Sequence, residues 1–84
     1  MNLEQIQKAA RKYRMALPDA KREDSATKGP DFLETVRHCA WMCDEISKGE
    51  MAQDKAMRWL CFVQGCLWTH GLYTIDEMKD DNRS

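Results

Sequence analysis

Residues 52–73 limit the possible folds more than any other stretch of the chain. They read Ala-Gln-Asp-Lys-Ala-Met-Arg-Trp-Leu-Cys-Phe-Val-Gln-Gly-Cys-Leu-Trp-Thr-His-Gly-Leu-Tyr. From Ala56 to Trp68 only Arg58 and Gln64 are clearly polar. The run has the length of a long globular helix, and Arg58, Gln64 and His70 make it too polar to span a bilayer. A surface helix carries one apolar stripe and one polar face, whereas this run is apolar around most of its circumference. At about 100° per residue, Trp59 and Trp68 fall on roughly opposite sides. One neighbouring helix cannot cover both. The expectation is a central helix, covered by several helices of its own chain, by a second chain, or by both.

The flanking sequence supplies the other helices. Asn2 followed by Gln5 is a capping-box-like pair. Leu3, Ile6, Ala10, Tyr13 and Leu17 then repeat at helical spacing, so a first helix is predicted from about Leu3 to Leu17. Pro18 ends it. Residues 19–29 are charged and small, which predicts an exposed loop or linker. Asp31 and Glu34 start a second helix. Its stripe is Phe32, Val36, Cys39, Cys43 and Ile46, with Gly49 at the left-handed position beyond its end. A third helix starting near Met51 leaves two or three connecting residues, which forces an antiparallel hairpin. Folding at Gly49–Glu50 sets Cys43 opposite Ala56, Cys39 opposite Leu60, Val36 opposite Val63 and Phe32 opposite Leu67. Cys61, Gly65 and Thr69 form a second line of small residues, where another helix can approach closely. Gly71 and Leu72 read as a Schellman stop, with Leu72 reaching back to Leu67. Thr74 and Glu77 read as a capping box opening a short fourth helix, about Ile75 to Asp81, after which residues 82–84 are expected to fray. The predicted fold is all-α, one small helical bundle over residues 1–84.

The chemistry-bearing residues do not assemble into a site. Cys39, Cys43, Cys61 and Cys66 with His38 and His70 suggest zinc, but no Cys-x-x-Cys pair is present. In the hairpin register the levels of Cys43 and Cys66 differ by about 15 Å along the axis, too far for one ion. The four thiols are expected to be free, with Cys39 and Cys61 near enough for an incidental oxidative contact. Neighbouring His38 and Cys39 point about 100° apart on a helix, unlike a nucleophile and its base. No Gly-rich phosphate loop occurs. No enzyme activity, cofactor or metal is expected.

Charge is uneven although the net formal charge is −1. Residues 1–22 carry Lys8, Arg11, Lys12, Arg14, Lys21 and Arg22 against Glu4 and Asp19. The face formed by Lys8, Arg11, Lys12 and Arg14 is a candidate contact for nucleic acid or an acidic partner, although no base-reading motif accompanies it. Protein association is the stronger expectation. Trp41, Met42, Met57, Phe62 and Trp68 exceed what a two-helix core absorbs, and aromatics and methionine favour interface centres. A homodimer is expected. The N-terminal residues lack the apolar core of a signal peptide, so the protein is expected in the cytoplasm.

The run from Lys55 to Trp68, continued through Gly71-Leu-Tyr-Thr-Ile-Asp-Glu-Met-Lys-Asp-Asp-Asn-Arg, resembles the C-terminal half of small uncharacterised helical proteins of tailed phages and prophages. The resemblance covers roughly residues 50–83. It carries no catalytic residues. It implies an accessory phage protein in the cytoplasm of a bacterial host, acting by binding or inhibiting a host or phage protein.

Overall fold

The computed structural model describes residues 1–22 and 31–82. Four helices make the bundle: α1 (Leu3–Met15), α2 (Phe32–Ser47), α3 (Gln53–Thr69) and α4 (Ile75–Asn82). No strand occurs among the described residues, and the all-α expectation holds. No described helix is long and apolar enough to cross a membrane.

The helix ends follow local chemistry. Asn2 and Gln5 close a reciprocal capping box on α1, with N···O distances of 2.8 and 2.9 Å. The Asp31 carboxylate accepts from the Glu34 amide at 2.8 Å. Thr74 and Glu77 form the same reciprocal pair at the start of α4, both at 3.1 Å. Gly49 (φ 78°) and Gly71 (φ 75°) take the left-handed conformation that ends α2 and α3. Past Gly71 the Leu72 amide donates to the Leu67 carbonyl at 2.8 Å, the bond a Schellman stop requires. Two boundaries differ from expectation. α1 ends at Met15, with Ala16 as its cap, before the proline is reached. α3 starts at Gln53, so residues 48–52 form the turn of the hairpin.

The core sits between α1, α2 and α3. Ile6, Ala9, Ala10 and Tyr13 of α1 close over Val36, Cys39, Ala40, Met42, Cys43 and Ile46 of α2. Ala56, Leu60, Val63 and Leu67 complete it from α3. The predicted facing sets of the hairpin are therefore all buried, except Phe32. That ring lies at the open end of α2, half exposed, edge-on to His70 with centroids 5.1 Å apart. α3 is not the central helix. α1 packs on all three others, most extensively on α2, whereas α3 buries only one face. The physical reason is that α1 lies along the groove between α2 and α3, leaving the far side of α3 uncovered.

The start of the 19–29 segment is tied down. The Lys21 amide donates to the Arg37 carbonyl at 3.0 Å, and Arg37 Nε donates to the Asp19 carbonyl at 3.3 Å. The remainder of the predicted linker lies outside the described residues. At the other end of the chain Asn82 is helical and hydrogen-bonded rather than frayed; residues 83–84 are outside the described set.

Candidate interaction surface

The uncovered side of α3 is built from residues at helical spacing. At about 100° per residue, Gly65 falls near the middle of this face. Arg58, Cys61 and Thr69 lie beside it, and Phe62 and Trp68 stand on its two flanks. All six are exposed, Phe62 at 54% and Trp68 at 53% of their full areas. A Cβ placed on Gly65 would meet nothing within 4 Å. The face is thus a shallow channel floored by small residues between two aromatic ridges.

Two open grooves meet at Trp68. One, of about 520 Å³, is lined by Thr35, Cys61, Phe62, Gly65, Cys66, Trp68, Thr69 and His70. The other, of about 420 Å³, follows the α3–α4 turn past Leu72, Tyr73 and Ile75 to Asp76 and Glu77. Phe32, against His70, extends the first groove, while the exposed Leu72 and Ile75 extend the second. The first groove is mainly apolar, while the second mixes apolar and polar groups and ends at two carboxylates. Monomers seldom leave contiguous apolar patches beyond a few hundred Å² exposed.

The sequence-predicted interface residues separate. Phe62 and Trp68 share the first groove. Met42 drops out as a surface residue because α1 covers that side of α2, burying it in the core. Met57 is half buried against the core. Trp41 is occupied within the chain. Its ring stacks on His38 at 5.4 Å, leans on Trp59 at 5.6 Å and carries the Arg22 guanidinium at 5.2 Å. Lys55 completes that pile over Trp59 at 5.1 Å.

The basic residues of α1 separate as well. Lys12 donates to Asp81 Oδ1, and this hydrogen bond raises the lysine pKa. Arg14 Nε donates to Asp44 at 2.9 Å, and its guanidinium also reaches the Leu17 and Pro18 carbonyls. Lys8 and Arg11 remain exposed. Two of the four cations are thus committed to carboxylates of α4 and α2.

Sequence reasoning missed a polar cluster inside the bundle. Tyr13, fully buried, donates its hydroxyl to Asp81 Oδ2 at 2.7 Å and accepts from the Gln64 amide at 3.0 Å. Gln64 and Asn82 exchange two amide hydrogen bonds, at 2.8 and 3.3 Å. Tyr73 closes the cluster edge-on to Tyr13 at 5.1 Å. Burial is the main cause that pushes the Tyr13 phenol upward. These groups satisfy one another across three helices, so the cluster serves to hold α4.

The thiols also differ from expectation. Cys61 is exposed whereas Cys39 is buried, and the thiol that acts on the titration of Cys39 is Cys66. The interaction with Cys66, and then burial, pushes the Cys39 pKa up, while Cys39 draws the Cys66 pKa down to about 7 against the opposing effect of burial. Burial pushes Cys43 up to about 12. Among the described residues no group of three or more His, Cys, Asp or Glu is placed to hold a metal ion.

No family model, curated protein or solved structure matches the chain.

Proposed function

We propose that this protein is a non-enzymatic interaction module that pairs with a second copy of itself through α3. The exposed channel at Gly65, flanked by Phe62 and Trp68, carries the reading. A two-fold axis through Gly65 and across α3 brings two such faces together with their helices antiparallel. Phe62 then lies beside its own copy on one flank, and Trp68 beside its copy on the other. Arg58 falls level with Leu72 of the copy, next to the groove end that carries Asp76 and Glu77. Charge is thereby complementary across the axis. Among the described residues Arg58 pairs with the exposed Asp54 at 3.4 Å, and such a pair contributes little. The resemblance of residues 50–83 supports the wider role: an accessory protein of a phage or prophage, working in the host cytoplasm by binding or inhibiting another protein.

Sedimentation equilibrium tests the pairing. The wild type is expected at dimer mass at tens of micromolar, and Trp68→Glu at monomer mass with unchanged helicity. Arg58→Glu is expected to weaken the dimer without abolishing it. A wild type of monomer mass under those conditions overturns the proposal.

A further inference from the structure

The polar cluster that holds α4 also shows what fits against α1 and α3. α4 stands on α1 where α1 meets α3, and Met78 is the residue it buries. Beyond Met78 the bundle reaches it at Asp81 and Asn82. The Lys12 ammonium donates to Asp81 Oδ1, and the Tyr13 hydroxyl donates to Oδ2 at 2.7 Å. The Gln64 amide donates to Asn82 at 2.8 Å and accepts from it in return. Met78, Asp81 and Asn82 are spaced i, i+3 and i+4, so they share one face of the helix. We propose that α4 is an internal ligand: the cleft it fills between α1 and α3 is a docking site for a short acidic helix of a partner protein, which takes the place of α4.

The cleft specifies its occupant. Two donors, one of them charged, converge on one carboxylate, so an aspartate is held better there than a neutral side chain. The Gln64 amide offers a donor and an acceptor together, which an asparagine amide matches with both of its own. A flexible apolar residue three positions ahead of the aspartate fills the space that Met78 occupies. The partner segment is therefore an amphipathic helix with an apolar residue, an aspartate and an amide at i, i+3 and i+4, laid into a groove.

α4 is suited to being displaced. It has eight residues, fewer than a helix needs to persist in water without support, and it leaves Ile75 exposed. An element held by few apolar contacts opens at lower cost than the bundle beneath it. Once it leaves, the Tyr13 hydroxyl and the Gln64 amide lose the partners that Asp81 and Asn82 give them, and both are buried groups that favour a replacement. The inference does not rest on self-association. Gln64 is buried where the adjacent Gly65 is exposed, so the cleft and the Gly65 channel lie on different sides of α3.

The test uses the full chain at submicromolar concentration, with Asp81→Ala and Asn82→Ala combined to free α4. Hydrogen exchange read by mass spectrometry is expected to show residues 75–82 losing protection while α1, α2 and α3 keep theirs. A fluorescent peptide of residues 71–82, the one segment whose fit to the cleft is known, is then titrated and followed by anisotropy. It is expected to bind the double variant saturably and one to one. Binding to the wild type should be about tenfold weaker or more, because its cleft is already filled. A peptide carrying Asp81→Ala should also bind the double variant about tenfold more weakly. Protection of α4 that persists in the variant, protection lost throughout the molecule, no saturable binding, or equal binding of the two peptides would each overturn the proposal. So would a wild-type dimer that the peptide splits into monomers, since α4 would then be exchanged between copies. Pairing through α3 is read separately by sedimentation, and its absence would leave the peptide result standing.

Discussion

The side-chain amide of Gln64 donates to the phenol oxygen of Tyr13 at 3.0 Å, across a separation of 51 positions in sequence. The same phenol donates to Asp81. One hydroxyl thus joins α3, α1 and α4.

Removing it strands two polar groups. Tyr13→Phe is expected to cost about 1–3 kcal/mol, because the Gln64 amide and the Asp81 carboxylate each lose a partner in a part-buried setting. The pH dependence has a definite sign. Burial raises the folded-state pKa of Tyr13 above the ordinary value near 10. Below that value the phenol is protonated in both states and its contribution is complete. Above it the unfolded chain loses the proton while the folded chain keeps it, so the unfolded state binds fewer protons. Stability should then fall by up to about 1.4 kcal/mol per pH unit. Chemical melts between neutral pH and the alkaline range should show a steeper decline for the wild type than for Tyr13→Phe.

Leu60 is fully buried on the stripe facing α2. Leu60→Ala is expected to cost about 2–5 kcal/mol in denaturant melts. A loss below about 0.5 kcal/mol would place Leu60 in a site that collapses freely, contrary to the packing described.

Gly65 separates stability from association. Nothing lies near the space a Cβ would occupy, so Gly65→Ala should stabilise the isolated protomer by about 0.5–1 kcal/mol, the helix-interior cost of glycine. A methyl at the centre of the α3 channel should at the same time hold two copies apart. Melts at low concentration are expected to shift up while sedimentation shows weaker pairing. Stronger pairing would move the contact away from Gly65.

Lys8 and Arg11 bear on the nucleic-acid alternative. Lys12, itself exposed, and Arg14 are engaged by Asp81 and Asp44, so Lys8 and Arg11 are the exposed cations of the α1 face outside those two pairs. No gel shift with DNA or RNA is expected at physiological salt. A sub-micromolar affinity there, lost on replacing Lys8 and Arg11 and weakened by added salt, would favour nucleic acid over protein as the partner.

The parts legible in the sequence are those that close over a few residues. The Asn2–Gln5 and Thr74–Glu77 boxes, the Asp31 cap and the turns at Gly49 and Gly71 each act within one helical turn. The hairpin stripe was legible too, because periodicity reports burial of a whole face. The Tyr13 cluster was not. Gln64 reads as a polar interruption of an apolar run, and Asp81 and Asn82 as ends of a charged tail. Their pairing spans 18 to 68 positions and leaves no periodic trace. The influence of Cys66 on Cys39 leaves no periodic trace either. The central role assigned to α3 failed for a related reason. Apolar residues all around a helix require cover, but do not say whether that cover comes from the same chain.

α4 has one further consequence for the Trp68 grooves. It buries little of its own beyond Met78, yet it is fixed at both ends, by the Gly71–Thr74 turn and by Asp81 and Asn82. A short rod pinned at both ends is a strut. It cannot swing about the turn without breaking the polar bonds at its far end. The opening between Trp68, Leu72 and Ile75 therefore has its width set from the opposite end of the rod. A change at Tyr13, deep in the bundle and absent from both grooves, would alter the shape that Trp68 presents to a partner.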